Sequence, residues 1–243
     1  MKLQWGYHLA LEDHMIFERR HLIRSAITTV AVSVVGRSPK AQSSNLYDLI
    51  GDDGSPIVNY RLPSELSVEG LPGIVWAGSA KPDVILIEFF DYNCAYCRKA
   101  VGELDKIVAK DAEFRLGLVN NPIIGVGSVQ AAKVQQAVLK LYGPLRAYEF
   151  HKALFAHRGA MDGLAALDVA KKMKLDAAAI ETAADGDDIS SVFIKQAKLA
   201  ASLGFAATPS FMLKNVGMLG YPGIQSLKRM IAAVRSCDKL VCA

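Results

Sequence analysis

Two cysteines spaced two residues apart, Cys94 and Cys97, follow closely on an apolar run, Val84 to Phe90, that carries a single carboxylate, Glu88. A Cys-x-x-Cys pair admits three readings: a reversible dithiol, half of a four-thiolate zinc site, or two thiols without chemistry. The elements around the pair discriminate between them. VILIEFF (Val84 to Phe90) reads as a buried strand, short, rich in β-branched and aromatic residues, and bounded by Pro82 and the polar DYN. From Ala95 to Lys110 the pattern is helical, with Val101, Leu104, Ile107 and Val108 on one face and Lys99, Glu103, Lys106 and Lys110 mostly off it. This order puts Cys94 at a helix N-terminus and Cys97 one turn inside. Unpaired N–H groups and the helix dipole there favour a thiolate, the nucleophilic form, at Cys94. Cys97 can then reach the Cys94 sulfur to resolve a mixed disulfide.

Two further features would serve such a dithiol. Glu88 is costly to bury as a charge, so a core-facing Glu88 is expected to have a raised pKa and to take a proton from Cys97. The competing reading puts Glu88 at a solvent-facing position of the sheet. The second feature is ATPSF, Ala207 to Phe211. A proline opening a strand sits where no ladder N–H is needed, and Thr208–Pro209 is a candidate for a cis bond. Packed on the dithiol, such a turn would offer the Thr208 backbone to an extended substrate chain. The competing reading is an ordinary trans proline at the start of an edge strand.

Strand signals precede and follow this unit. IVNYRL (Ile57 to Leu62) and GIVWAG lie before it, and FRLGLV (Phe114 to Val119) completes a strand–helix–strand unit, which implies a parallel pair. Residues 127–204 read as an all-helical block. Ser128 is placed to cap a helix that ends near Gly143, Pro144 suits the first turn of the next, and Asp162, Asp176 and Asp188 each precede an apolar-periodic segment. Gly204 can close the last helix. PSFML and VGMLG then form two strands around Lys214–Asn215, and Ile224–Val234 is an amphipathic helix. Strands 84–90 and 209–220 must therefore share one sheet, with the helical block inserted between them.

The chain has 243 residues, 51% of them hydrophobic, enough for one large domain or two small ones. Most of the formal net charge of +4 sits in residues 1–41, which leaves the body near neutral and makes nucleic acid an unexpected partner. No apolar run reaches the ~18 residues of a membrane span. Arg19, Arg20 and Arg24 precede a moderately apolar stretch, SAITTVAVSVVG, and a polar RSPKAQSS. That order is the order of an export signal, and RRHLI resembles its twin-arginine form. Met15 offers an alternative start, and Pro39 makes cleavage after Ala41 a poor match. Cys237 and Cys242 are read as a local disulfide; a zinc site with Cys94 and Cys97, or a soft-metal chaperone using those two thiolates, are the competing classes.

Together, EFFDYNCAYC, NPIIGVGSVQAA (Asn121 to Ala132), YEFHKALF (Tyr148 to Phe155) and GFAATPSF (Gly204 to Phe211) resemble the DsbA family of thiol–disulfide oxidoreductases. FFDYNCxYC is most similar to its suppressor-of-copper-sensitivity and Com1-like branch. The resemblance spans about residues 78–235 and implies an α/β thioredoxin fold with an inserted all-helical domain. It implies an export segment over 1–41, an extension over 42–82, a thioredoxin domain over 83–125 and 205–243, and the insertion over 126–204. Catalytic roles would fall to Cys94, Cys97, Glu88, Thr208 and Pro209, with no cofactor. The expected partners are unfolded or misfolded cysteine-containing proteins and a membrane or soluble redox partner, in the periplasm or another exported location. Some members of the branch are oligomers, so a homo-oligomer with 42–77 as its arm is a further expectation. Ala95–Tyr96 stands where the strongest oxidases of the family have Pro–His, so extreme oxidising power is not expected. Tyr92, Tyr96, Phe205 and Tyr221 are candidates for an apolar rim around the dithiol or for core.

Overall fold

The computed structural model describes residues 45–63, 68 and 70–242. The 1–41 export segment lies outside them. The strand, helix and strand expected around the cysteines form as β3 (Val84–Phe90), α1 (Ala95–Lys110) and β4 (Phe114–Asn120), with β3 and β4 parallel. β5 (Ser210–Leu213) pairs antiparallel with β3, and β6 (Val216–Leu219) with β5, so the two distant stretches share one sheet. The positive φ of Lys214 (55°) makes the tight turn between β5 and β6. Two short strands, β1 (Val58–Arg61) and β2 (Val75–Gly78), lie at opposite edges and give the order β1-β6-β5-β3-β4-β2.

Residues 42–82, set apart in the sequence as an extension, thus supply both edge strands. The loop before β1 is tied down as well. The Asn59 side chain accepts from the Tyr47 N–H and donates to the Tyr47 and Ile57 carbonyls, and the Asn45 side chain accepts from the Asn59 N–H. These bonds satisfy part of an edge that would otherwise be open to pairing.

Between β4 and β5 run α2 (Val126–Ala156), α3 (Gly163–Lys172), α4 (Ala177–Ala184) and α5 (Asp187–Ser202). α2 is two helices joined across Gly143, whose φ of 79° is left-handed, with Pro144 opening the second. Asp162 and Asp176 cap α3 and α4 as expected, accepting from the N–H groups of Ala165 and Ala179. Two caps differ from the sequence reading. α2 begins at Val126, so Ser128 is inside the helix and its buried hydroxyl accepts from Asn93 instead. α5 is capped by Gly186, and Asp188 in its first turn pairs with Lys140 at 2.7 Å. α6 (Ile224–Cys237) closes the chain. Its first N–H groups, at Gln225 and Ser226, are satisfied by Asp52, both at 2.8 Å.

Alternation along β3 splits its side chains between two cores. Ile87 and Phe89 join Val119, Phe205 and Met212 in the smaller one. Leu86 and Phe90 join Cys94, Cys97, Ala100 and Leu104 of α1 in the larger. Glu88 shares parity with the second set and is 1% exposed, so the carboxyl is buried on the face that α1 covers. The solvent-facing reading of Glu88 is overturned.

Candidate active site

Cys94 is the N-cap of α1, with an extended backbone, φ −81° and ψ 122°. Its N–H donates to the Asp91 carbonyl at 3.1 Å, which turns the chain from β3 into the helix. Its sulfur accepts from the Cys97 N–H at 3.4 Å and lies 3.1 Å from the Thr208 carbonyl oxygen. Neither Cys94 nor Cys97 is disulfide-bonded, and both are buried. The Thr208–Pro209 bond is cis, and the Pro209 carbonyl accepts from the Gly220 N–H beyond β6. Tertiary structure therefore brings together Cys94, Cys97 and Glu88 from one stretch of chain with Thr208 from another, and Pro209 fixes the start of β5.

The two thiols stand in opposite electrostatic situations. Hydrogen bonding from Cys97 pulls the Cys94 pKa down; burial opposes it, and the Thr208 side chain and the Cys97 and Tyr96 backbone add to the lowering, to about 6. The Thr208 carbonyl acts the other way, because it can accept from a thiol but only repels a thiolate. Donors outnumber it around the sulfur. Cys97 is pushed far above an ordinary thiol, first by burial, then by its bond to Cys94 and by the Glu88 charge. Burial, followed by the neighbouring Cys94 charge, raises Glu88 to about 8. Glu88 Oε2 is a buried acceptor without a partner, a site ready for a proton.

The arrangement can therefore hold one reactive sulfur near neutral pH, one inert sulfur behind it, and one buried acid that exchanges a proton in the same range. That division suits two-step thiol–disulfide exchange. A four-cysteine zinc site does not form, because Cys237 and Cys242 are bonded to each other in a disulfide. Among the described residues no group of three or more His, Cys, Asp or Glu is placed to hold a metal.

The chain matches the thioredoxin family over residues 71–233. It belongs to that family. Among solved structures, this thioredoxin-family protein resembles a thioredoxin-like oxidoreductase from Silicibacter pomeroyi DSS-3, at 30% identity and a TM-score of 0.64, over 68% of this chain and 94% of that one. It shares its fold with the thiol–disulfide exchange protein alpha-DsbA2 from Wolbachia pipientis, at 23% identity and a TM-score of 0.61, over 65% and 86% of the two chains. It also shares it with the catalytic domain of Proteus mirabilis ScsC, at 20% identity and a TM-score of 0.60, over 66% and 88%. No curated protein matches significantly. The chain is thus a thioredoxin-like oxidoreductase by family and fold, with α2 to α5 inserted between β4 and β5.

The residues left open between rim and core divide between the two. Tyr92 and Phe205 are core, and Tyr221 is half-buried and bonded to Glu103. Tyr96, 65% exposed, stands at the rim. The exposed apolar residues Ile123, Ile124 and Val126, just before and within the start of α2, were not singled out by sequence, although NPIIGVG carries them openly. His151 is core: burial drives its pKa down to about 3, and its Nδ1 lies 3.2 Å from the Tyr92 hydroxyl. Arg98, half-buried, donates to the Phe155 and His157 carbonyls at the end of α2. Asp91 and Asn93 were also missed; the signal was their adjacency to the cysteines.

Proposed function

We propose that this protein is exported and forms or isomerises disulfides in other proteins through a reversible Cys94–Cys97 dithiol. The observation that carries the reading is the Cys94 sulfur held at the N-terminus of α1, between the Cys97 N–H and the Thr208 carbonyl, over the buried Glu88. In the oxidising direction a substrate thiolate attacks the Cys94 sulfur of the enzyme disulfide. The S–S bond breaks, Cys97 leaves and takes a proton from Glu88, and a mixed disulfide remains on Cys94. A second substrate thiolate then attacks the substrate sulfur of that bond and expels the Cys94 thiolate, so that the substrate is oxidised and the enzyme reduced by two electrons. In isomerisation the Cys94 thiolate attacks a wrong substrate disulfide, and a substrate thiolate later displaces it. Thr208 presents its backbone to the incoming chain, and Pro209 holds it there.

The substrates are unfolded or misfolded chains with paired cysteines, which the exposed Tyr96 and the Ile123–Ile124–Val126 rim meet through apolar contact. A membrane or soluble redox partner returns the dithiol to its working state. Export rests on the basic, apolar, then polar order of residues 19–44, and on a second disulfide, Cys237–Cys242, of the kind that persists in oxidising compartments. Residues 1–41 are the export segment and 126–204 the insertion domain.

Equilibration with glutathione, followed by mass mapping of trapped thiols, tests the function. A Cys94 thiolate stabilised to about 6 lies between those of thioredoxin, about 7, and DsbA, about 3.5. The expected potential therefore falls between about −270 and −120 mV, and a value above about −180 mV marks an oxidase or isomerase. Failure to form a Cys94–Cys97 disulfide, with stoichiometric metal on the purified protein instead, sinks the reading in favour of a thiolate metal site.

A further inference from the structure

The residue before Cys94 makes more side-chain hydrogen bonds than any group in the site, and none of them is to the thiols. Asn93 Oδ1 accepts from the Met161 N–H at 2.7 Å; Nδ2 donates to the Met161 carbonyl at 2.8 Å and to Ser128 Oγ at 2.9 Å. Met161 lies on the loop between α2 and α3, and Ser128 lies on α2; both are 1% exposed. One side chain thus pairs with both backbone groups of a buried residue in the insertion and also with a buried hydroxyl. From the same turn, Asp91 Oδ2 accepts from the Ile124 N–H at 2.9 Å, and Oδ1 from the Asn93 N–H at 2.8 Å.

We infer that Asn93 is a positioning residue through which the helical insertion holds Cys94 in register with the start of α1, and so sets the balance between its dithiol and disulfide forms. This rests on the redox reading of Cys94 and Cys97. The physical argument compares the two states. In the oxidised form the S–S bond itself fixes Cys94 relative to Cys97, so the turn is held twice. In the reduced form the covalent tie is gone, and the Cys94 sulfur stays within reach of the Cys97 N–H because the turn before it is held. Losing Asn93 therefore costs the reduced form more than the oxidised one, and the equilibrium moves toward the disulfide. The insertion, remote in sequence, acts on the chemistry through this contact.

The test uses the full chain as wild type, Asn93→Ala and Ser128→Ala. Three quantities are read: the glutathione equilibrium constant, the pH midpoint of Cys94 alkylation, and the unfolding midpoint of each redox form. Asn93→Ala should shift the glutathione equilibrium about tenfold toward the enzyme disulfide and raise the alkylation midpoint by about one pH unit, the same free energy read two ways. Ser128→Ala removes one of the three bonds from the far side, without touching the redox turn. It should move both readouts the same way, about threefold, and it keeps the inference testable if Asn93→Ala does not fold. Equal destabilisation of both redox forms, with equilibrium and alkylation midpoint unchanged, would reduce Asn93 to a structural residue and overturn the inference. A wild type that forms no Cys94–Cys97 disulfide would instead sink the redox reading, and the alkylation midpoint would still report whether Asn93 positions Cys94.

Discussion

Cys94, Cys97 and Glu88 share one small volume, and their ionisations are coupled in opposite senses. Cys94, lowered from 9.0 to about 6, makes its alkylation by iodoacetamide rise with a midpoint near pH 6, while Cys97, whose thiol is pushed far up, stays unmodified; equal labelling of both thiols would contradict this geometry. In the reduced protein the unfolded chain binds more protons at this thiol between pH 6 and 9. Its contribution to stability is therefore complete above 9 and lost as pH falls through about 6. Glu88 has the reverse sign. Raised from 4.5 to about 8, it keeps its proton in the folded state where the unfolded chain has released it, so stability falls as pH rises across that window. Glu88→Gln should stabilise the protein by roughly 2 kcal/mol at pH 7.5, after an allowance of about 2 kcal/mol for an unpaired amide, with the gain vanishing at about pH 6 and turning into a loss below it. Urea unfolding at several pH values checks this. The same variant should slow opening of the Cys94–Cys97 disulfide by a substrate thiolate, because the leaving Cys97 loses its proton donor; unchanged turnover would remove Glu88 from the mechanism.

Several of the elements owe their ends to residues far away in sequence. Asp52, in the loop before β1, supplies the cap of α6 by accepting from the Gln225 and Ser226 N–H groups and the Ser226 hydroxyl. Asp52→Ala leaves the Gln225 and Ser226 N–H groups without a protein partner and should cost about 1 kcal/mol, the usual worth of an N-cap, read as a lower denaturant midpoint. Since the hydrogen bonds of the Asp52 carboxylate all go to the start of α6 and none to the cysteine turn, the glutathione equilibrium should not move; a shift would mean that α6 reaches the site. At the end of α2, Arg98 from α1 occupies the orphan carbonyls of Phe155 and His157. α1 thus meets the insertion through Arg98, and the turn before it meets the insertion through Asn93.

Over the whole molecule, one sheet gathers segments that the chain order separates. β3 carries the acid and leads to the cysteines, β5 begins at the cis proline, and α2 to α5 lie between β4 and β5 in sequence. The Cys237–Cys242 disulfide follows the end of α6, where Leu240 is buried in the main core. Closing so short a loop should contribute about 2 kcal/mol, and Cys242→Ser should lower the melting temperature by a few degrees while leaving the Cys94–Cys97 equilibrium as it was. A parallel change in that equilibrium would reveal a relay between the two pairs. The edge strands β1 and β2 pair Val58–Arg61 and Val75–Gly78 with the sheet of their own chain.

The short-range features of this protein were legible in the sequence because they depend on near neighbours. The period of VILIEFF, the helix after the cysteines, the Gly143–Pro144 break and the Asp162 and Asp176 caps are set within a few residues of themselves. The two cysteines announced their chemistry by spacing and by the strand–helix junction. What tertiary structure decided is everything that needs a partner from elsewhere. Glu88 read equally well as exposed or buried until β5 and α1 covered it. Ser128 has the residue type of a cap but was taken by Asn93, and the cap of α6 came from Asp52. Tyr92 and Phe205 were as apt for a rim as for a core until the insertion and the second sheet face closed on them. Their free energies lie in burial and in hydrogen bonds between distant segments, and no local pattern encodes those.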